Sequence, residues 1–293
     1  MRTLALIGVG LIGGSLAAAL RRAGAVATVV GYDRDPQALE RAAALGLIDT
    51  AAASASEAAQ GADLVVVAVP VRAIGAVLRD VAATLAPGAV VTDVGSTKGD
   101  VAQVAEQALR ELFPRFVPGH PIAGREASGV EAAVADLFRG ARVVLTPNAA
   151  TAPDAVDLVK ACWEAAGARI ATMAPERHDR ICAAVSHLPH VLSFALVSEI
   201  AARDDAEELL GFAAGGFRDF TRIAASSPEM WRDIALQNRA ALLDEIDRYA
   251  ARLAVFRELV ERADGPALER LMTEARTARH AWAAGNRRAA SSE

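Results

Sequence analysis

Short apolar runs alternate with helical stretches through about residue 172 of this chain. Each run is continuously hydrophobic, which is typical of strands that are covered on both faces. Strands that alternate with helices in this way form a parallel sheet with helices packed on either side. The runs are, in order, TLALIGVG, ATVVGYD, DLVVVAVP, AVVTDVG, RFVPGH, RVVLTP and RIATM. We therefore predict an α/β domain with a doubly wound parallel sheet over residues 1–172.

The chain changes character after about Pro175, where the strand-like runs stop and helical periodicity takes over. Ser227 has the position of an N-cap before Pro228, and a break between helices is expected at residues 264–266. We predict an all-helical domain over residues 173–284. Because long amphipathic helices on so short a segment cannot bury all their apolar faces alone, we expect a homodimer formed through this domain. The small, polar residues 285–293 are predicted to form a disordered tail.

The composition argues against several classes of protein. The 293 residues are 53% hydrophobic with a formal net charge of -5, which gives no broad electrostatic footprint for nucleic acid or an anionic membrane. We expect a small-molecule substrate instead. Residues 4–20 resemble the apolar core of a secretory signal, but glycines break the run and no cleavage site follows directly. No other segment has the roughly eighteen uninterrupted apolar residues of a membrane span. The two cysteines suit a reducing compartment, so a cytoplasmic location is expected.

A glycine-rich segment follows the first predicted strand. Gly8, Gly10 and Gly13 stand in G-x-G-x-x-G register between that strand and a predicted helix. The glycines permit a tight turn and the close approach of a pyrophosphate, whose charge is held by the free N–H groups that open the helix. Leu11 and Ile12, between the last two glycines, are included in the predicted cofactor contacts. The alternative is a turn that only packs the helix on the strand, but strand, helix and a following acid coincide here.

The acid is Asp33, which ends the second predicted strand 25 residues after Gly8. A carboxylate there can accept hydrogen bonds from an adenosine ribose. Its charge would repel a 2′-phosphate, which favours NAD over NADP. Arg34 weakens this preference, so NADP remains an alternative. The first domain is thus predicted to be a Rossmann-type dinucleotide-binding domain.

The loops at the carboxyl ends of the predicted strands should carry the chemistry, because ligands of doubly wound sheets lie there. Val69 and Pro70 follow the third strand and are expected to form a wall for the nicotinamide ribose. Ser96 follows the fourth strand. Its hydroxyl could contact a substrate alcohol or the cofactor amide, or it could cap the helix that begins near Gly99.

His120 follows the fifth predicted strand and stands between Gly119 and Pro121. We therefore expect it on a constrained loop and not inside a helix or strand. Because the pKa of histidine lies near working pH, His120 can take a proton from an alcohol while a nicotinamide takes the hydride. The alternative is a histidine that only hydrogen-bonds a loop carbonyl. Its place at a strand end facing a dinucleotide favours the catalytic role.

Two further histidines, His187 and His190, lie three positions apart in SHLPH. Histidines at this spacing can share a helix face, which fits metal ligands, a reaction site or buried hydrogen-bonded groups. Nearby in sequence there is no cysteine, third histidine or acid at ligand spacing, so we predict no bound metal. The spacing does not exclude a metal ligand from a distant part of the sequence.

Five separated motifs occur in one order over nearly the whole chain. They are GVGLIGGS, DVGSTKG, GHPIAGRE followed by SGVE, SHLPH and GGFRDFTRIAASSPEMWRDI. This combination resembles prephenate dehydrogenases, the arogenate and cyclohexadienyl dehydrogenases included. The resemblance implies an NAD(P)-dependent oxidative decarboxylation of prephenate to 4-hydroxyphenylpyruvate in tyrosine biosynthesis. Such a reaction needs no metal as electron sink, because loss of carbon dioxide after hydride transfer makes the ring aromatic.

The resemblance also implies roles for individual residues. His120 would hydrogen-bond the ring hydroxyl and act as the base, assisted by Ser96. His190 and Arg222 would hold the carboxylate end of the substrate, and a guanidinium suits this because its N–H groups form a fork that fits a carboxylate. The alternative is that Arg222 belongs to an ordinary solvated charge cluster with Arg218 and Asp219, but substrate binding is favoured.

Other positions receive broader roles from the same resemblance. His187 is expected to orient its neighbours or to pack at the domain junction. Trp231 either closes the substrate pocket or belongs to the core. Gly216, with Gly215, is expected to form a turn that in relatives can reach toward the neighbouring subunit's site. Glu126 resembles an acid of a gating ion pair.

Three rival functions remain open from the sequence. Arogenate, which carries an amine where prephenate has a ketone, could be the substrate instead of prephenate. The β-hydroxyacid dehydrogenases share the nucleotide motif, but they rely on a helical lysine, and Lys160, the last lysine of the chain, precedes the helical half. A non-catalytic NAD-binding regulatory protein would have no use for His120 and Arg222.

Overall fold

A computed structural model describes the backbone of residues 1–125 and 127–291, and the side chains of that part through residue 284. Within it, six strands form the central sheet: β1 (Thr3–Ile7), β2 (Thr28–Tyr32), β3 (Thr50–Ala51), β4 (Leu64–Val67), β5 (Val90–Asp93) and β6 (Phe116–Val117). Their spatial order is β3-β2-β1-β4-β5-β6, and all neighbours are parallel. The predicted doubly wound sheet is therefore confirmed. The direction of winding reverses between β1 and β4, and a ligand crevice opens at the carboxyl ends of strands at such a point.

Both faces of this sheet are buried, which explains the continuous hydrophobicity of its strands. Leu4 and Leu6 of β1 belong to one core cluster, whereas Ala5 and Ile7 belong to the cluster on the other face. All four side chains have 0% exposure. The helices of this half are α1 (Leu11–Arg22), α2 (Pro36–Ala44), α3 (Ala55–Ala59), α4 (Val71–Ala82), α5 (Gly99–Leu109) and α6 (Pro153–Ala165).

A second, smaller sheet corrects the prediction of one parallel sheet. It contains β7 (Gly119–Ile122), β8 (Arg142–Leu145) and β9 (Arg169–Thr172), and β7 pairs antiparallel with β8. Pro118 has no N–H to continue the main ladder, so β6 ends at Val117 and the chain leaves the central sheet there. The expectation that His120 lies on a loop was likewise wrong, because it is the second residue of β7 and stands opposite Val144.

Helices follow Pro175 in the described chain. They are α7 (Pro175–Cys182), α8 (Leu188–Ala201), α9 (Ala206–Gly211), α10 (Gly215–Thr221), α11 (Pro228–Gln237), α12 (Arg239–Glu261) and α13 (Gly265–Ser291). The side chain of Ser227 accepts a hydrogen bond from Met230 N at 3.3 Å, which confirms the predicted N-cap. The predicted break near residues 264–266 is also confirmed. Gly215 and Gly216 open α10 and do not form a separate turn.

Among the described residues, one helical run, Pro175–Ala201, is long and apolar enough by length and composition to cross a membrane, and an 18-residue stretch of it has a mean hydropathy of 1.6. A five-residue π-helical segment, Ala183–His187, joins its two halves. Its first turns carry His178 and Asp179, which hydrogen-bond to β7 and α5. Because of these contacts, we interpret the run as a helix that packs within the protein and not as a membrane span.

The chain forms two compact units, one over Met1–Ala241 and one that begins at Leu242. The first unit therefore includes α7 to α11, of which α7 packs on α5 and α11 on α4, while α9 and α10 pack on α8. The domain boundary predicted after residue 172 remains a prediction, and so does the disorder of residues 285–293. The backbone of α13 continues to Ser291.

Candidate active site

The glycine loop leaves space above the start of α1. Gly8 has φ +98°, and a Cβ there would lie 2.4 Å from Ala68 O. A Cβ on Gly13 would lie 2.1 Å from Gly8 O, so this glycine allows the helix to approach the strand. Around Gly10 no atom lies within 4 Å of a built Cβ. The first turn of α1 has neither a side-chain cap nor an acid, so its N–H groups can meet a phosphate that comes close to Gly10.

The other predicted cofactor residues surround this loop. Asp33 follows β2, and its carboxylate accepts hydrogen bonds from Val9 N and Asp35 N, each at 3.0 Å. These two bonds hold it beside the glycine loop and leave further lone pairs for a ribose. Arg34 is exposed next to it. The remaining predicted contacts are half-buried Leu11 and Ile12 in the first turn of α1, half-buried Val69 after β4, and exposed Pro70 at the start of α4.

A buried ion pair, which the sequence analysis missed, braces the end of β5 against the start of β7. Lys98 and Asp93 have 0% exposed side chains and form a salt bridge. The ammonium of Lys98 also donates to Gly119 O at 2.7 Å, and Asp93 accepts from Gly119 N at 3.1 Å. The backbone directly before His120 is therefore held from both sides. DVGSTKG contains both charged residues, but nothing in the motif indicates that the lysine is buried.

His120 is hydrogen-bonded to a second imidazole that the sequence analysis did not assign. Its Nδ1 lies 2.8 Å from Nε2 of His178, and Nδ1 of His178 lies 2.7 Å from Oδ1 of Asp179. The same carboxylate accepts the first amides of α5, from Lys98 N and Gly99 N, at 2.8 Å each. Asp179 thus caps α5, and the alternative role of Ser96 as the cap of this helix is not seen. Ser96 lies half-buried in the loop between β5 and α5.

The protonation of this cluster follows from its surroundings. Burial would raise the pKa of Asp179, but the hydrogen bonds from His178, Gly99 and Lys98 outweigh burial and lower it. The pKa of His120 lies well below its ordinary value, first because the ring is desolvated and then because positive charge at His178 or Lys98 would oppose its protonation. His120 is accordingly neutral at neutral pH, the state that a base requires.

The SHLPH histidines lie in a second part of the same unit. The ring of His190 stacks on Trp231 with 3.5 Å between centroids and an angle of 19°. Its Nδ1 donates to Ser186 O at 2.9 Å, because a carbonyl can only accept, and Nε2 is left for a ligand. Burial lowers the pKa of His190, the Ser186 carbonyl partly offsets this, and the charge of Arg222 lowers it further. Arg222 is exposed in the 3₁₀ turn that follows α10.

His187 connects the two groups of histidines. Its Nδ1 accepts from Asn238 Nδ2 at 3.0 Å, and the same amide group donates to Asp179 O at 2.7 Å. The ring of His187 packs edge-on to Trp231. Burial lowers the pKa of His187 to about 4, so it is a neutral, buried ring. A continuous series of contacts therefore runs from His120 through Asp179 and Asn238 to His187 and the neighbourhood of His190.

The contacts of two further predicted substrate-binding residues, Gly216 and Trp231, do not indicate what they would bind. Gly216 lies in the first turn of α10, with open space around a built Cβ. The Nε1 of Trp231 is buried and has no hydrogen-bond partner among the described side chains and backbone. Glu126, the predicted gating acid, lies outside the described residues.

Within the part of the chain that the structure describes, one group of side chains could hold a metal ion, and it lies at His120 and not at SHLPH. The Sγ of Cys182 is 3.4 Å from Nε2 of His178 and 4.0 Å from Nδ1 of His120. Burial raises the pKa of this thiol to about 12, so it is protonated at neutral pH. The two imidazoles are already hydrogen-bonded to each other. The absence of a metal stays a prediction.

Comparison with known proteins identifies the family. The model described as "Prephenate dehydrogenase, nucleotide-binding domain" matches residues 16–172, and "Prephenate dehydrogenase, dimerization domain" matches residues 174–274. A cyclohexadienyl dehydrogenase of Zymomonas mobilis is 38% identical over 278 residues, which are 94% of each chain. A prephenate dehydrogenase of Bacillus subtilis is 38% identical over 276 residues, 94% of this chain and 74% of the relative.

Among solved structures, a prephenate dehydrogenase from A. aeolicus in complex with hydroxyphenyl propionate and NAD+ superposes with a TM-score of 0.90 at 38% identity. The match covers 96% of this chain and 98% of that one. The two family models together match most of the α/β half, from residue 16, and most of the helical half, to residue 274. The chain therefore belongs to the prephenate dehydrogenase family.

Proposed function

We propose that this protein is a prephenate dehydrogenase, which oxidises and decarboxylates prephenate to 4-hydroxyphenylpyruvate in tyrosine biosynthesis. The observation that carries the proposal is the placement of His120. It stands in β7, directly after Gly119, whose N–H donates to Asp93 at the end of β5 of the central sheet. It is neutral and hydrogen-bonded to a second imidazole. Relatives at 38% identity over most of the chain carry the same activity in their names.

The chain's own residues supply proton transfer and substrate orientation. The glycine loop would hold NAD, which would supply the hydride acceptor for the carbinol carbon of the substrate. The glycine loop fits such a group, because Gly10 leaves open space beside the uncapped start of α1. His120 takes the proton of the ring hydroxyl, and the ring becomes aromatic as carbon dioxide leaves. Ser96 assists His120 from the loop after β5.

The carboxylate end of the substrate would be bound near the SHLPH histidines, His187 and His190. We assign its binding to Arg222 and to Nε2 of His190, which must take up a proton to donate to the carboxylate. The stacked ring of Trp231 holds His190 in one orientation. His187 packs against the same Trp231 ring and is itself held by a hydrogen bond from Asn238.

We infer NAD as the preferred cofactor. Asp33 lies beside the glycine loop, where its charge would repel a 2′-phosphate. Arg34 next to it is exposed and keeps NADP as the alternative. The relative from A. aeolicus was crystallised with NAD+. A higher kcat/KM with NADP than with NAD would overturn this preference.

A second candidate function has a specific observation in its favour. The Z. mobilis relative, as similar as the B. subtilis enzyme, is named a cyclohexadienyl dehydrogenase. The protein could therefore accept arogenate as well as prephenate, or arogenate alone. One spectrophotometric assay decides this by measuring NADH or NADPH formation with each substrate and each cofactor. We expect the highest kcat/KM for prephenate with NAD, and turnover of neither substrate would contradict the proposed function.

We infer further that the protein is a homodimer formed through its helical half and that it works in the cytoplasm. The matching family model is a dimerization domain. Large apolar side chains are exposed in the helical half, among them Val185 (72%), Phe212 (85%) and Leu236 (59%). Both cysteines are free, which suits a reducing compartment. Sedimentation of a monomer at micromolar concentration would contradict the dimer, and recovery of the native enzyme outside the cytoplasmic fraction would contradict the location.

A further inference from the structure

The proton on His120 must sit on the correct ring nitrogen for the proposed reaction. A neutral imidazole carries one N–H and one lone pair, and the hydrogen bond at one nitrogen decides which nitrogen is which. To act as base, His120 must direct a lone pair at the substrate hydroxyl. The Nδ1 of His120 already faces His178, so the lone pair is needed on Nε2.

The direction of the hydrogen bonds can be followed from Asp179. Its carboxylate is held by the first two amides of α5, which favour the ionised form, and an ionised carboxylate only accepts. Nδ1 of His178, 2.7 Å from this carboxylate, must therefore donate. A neutral His178 then has its lone pair on Nε2, and His120 must donate its Nδ1–H across the 2.8 Å contact. We propose that His178, held by Asp179, is a positioning residue that fixes His120 in the tautomer whose Nε2 accepts the substrate proton.

The opposite direction would stop the reaction. If His178 donated to His120 Nδ1, it would carry a second proton, and His120 would keep its own proton on Nε2, where the substrate must bind. Only the direction from His120 to His178 to Asp179 provides a base.

The same arrangement stabilises the product of proton transfer. The substrate O–H bond breaks and the Nε2–H bond of His120 forms, while both other N–H bonds stay in place. The new imidazolium then donates to His178, whose other N–H points at the Asp179 carboxylate. The role rests on the proposed function, because it is defined by the proton that His120 takes.

Kinetics of two His178 variants test this role. His178→Leu removes the acceptor for His120, and we expect kcat with prephenate to fall about 100-fold while KM changes less than about threefold. His178→Gln places an amide oxygen near the former Nε2, so it can restore the acceptor without linking it to Asp179. We expect its kcat to lie about tenfold above that of His178→Leu. Equal kcat for wild type and His178→Leu would overturn the proposal.

The tautomer itself is measured by NMR of ¹⁵N-histidine-labelled protein, which contains five histidines. We expect Nδ1 of wild-type His120 to carry the proton and Nε2 to be unprotonated, and we expect this pattern to be lost in His178→Leu but kept in His178→Gln. His280→Gln, an exposed position, serves for assignment and as the control with unchanged activity. A wild-type His120 protonated on Nε2 would overturn the proposal. If His178→Leu does not fold, the wild-type spectrum and His178→Gln decide.

Two further results separate this inference from its rivals. Stoichiometric zinc in the active enzyme, lost together with activity on chelation and absent in Cys182→Ser, would replace the hydrogen bonds with a metal site and overturn the proposal. A wild-type protein that turns over neither prephenate nor arogenate would refute the proposed function. In that case the tautomer measured by NMR still reports on the hydrogen-bond direction by itself.

Discussion

At the scale of single residues, the candidate site separates two imidazoles by their surroundings. His120 is half-buried beside His178, and desolvation together with the positive charge of Lys98 keeps it neutral and ready to accept a proton. His190 is also neutral, but its Nδ1 is committed to Ser186 O and its face to Trp231. The first can therefore move a proton, whereas the second presents one fixed nitrogen to a ligand.

Arg222 should contribute to binding more than to catalysis. Replacing it with alanine removes a charged hydrogen bond to the substrate carboxylate, worth about 1.5–3 kcal/mol, so KM for prephenate should rise roughly 10- to 150-fold with a small change in kcat. Arg222→Lys is the matched control, since it keeps the charge but loses the planar fork. An unchanged KM in the alanine variant would remove Arg222 from the site.

The lowered pKa of His190 predicts a pH dependence of ligand binding. A carboxylate bound at Nε2 favours the charged ring, so the pKa of His190 must be higher in the complex than in the free protein. Affinity should therefore fall as pH rises from the pKa of the free protein to that of the complex. Calorimetry with unreactive hydroxyphenyl propionate should show proton uptake in the wild type and none in His190→Gln. Equal uptake by both proteins would assign the proton to another group.

At the scale of elements, two helices of the same domain use their N-terminal amides differently. Asp179 from α7 accepts the first amides of α5, so that helix start is closed by the protein's own carboxylate. The start of α1 has no side-chain cap and no acid in its first turn. Of these two helices, only α1 therefore has N-terminal amides that can bind an external anion, and its N-terminus lies beside Asp33.

Gly10 offers a test of that open start. An added Cβ meets no atom within 4 Å and φ is -71°, so Gly10→Ala should fold normally. The methyl group would occupy the space through which a pyrophosphate approaches, and the Kd for NAD should rise at least about tenfold. Gly13→Ala is the contrasting variant, because its Cβ would lie 2.1 Å from Gly8 O and should lower the melting temperature instead. Unchanged NAD affinity in Gly10→Ala would remove the phosphate from this loop.

The buried pair at the end of β5 predicts a stability effect. Lys98→Met leaves Asp93 as an uncompensated buried charge, which should lower the free energy of unfolding by about 3–5 kcal/mol. Adding Asp93→Asn removes that charge and should recover part of the loss. Urea unfolding of both proteins measures this. A loss below about 1 kcal/mol in the single variant would show that the pair is not closely coupled to the fold.

At the scale of the whole molecule, the sequence predicted elements better than their assembly. Continuous apolar runs such as Leu4–Ile7 indicated buried strands because both faces of the sheet are covered. The separate sheet of β7 to β9 could not be predicted, since its antiparallel pairing joins segments about twenty residues apart with no turn motif between them. His178 was missed for a similar reason, because it reaches His120 across 58 residues and only the fold brings them together.

The role of His120 as the base is tested most directly by a single-turnover measurement, in which enzyme and NAD are in excess over prephenate. In the wild type we expect NADH and 4-hydroxyphenylpyruvate to form in equal amounts. In His120→Asn we expect the rate of that step to fall at least about 100-fold, with NAD and substrate affinity nearly unchanged, since the variant lacks only the proton acceptor. If His120→Asn forms NADH at the wild-type rate, His120 is not the base and the proposed mechanism is wrong.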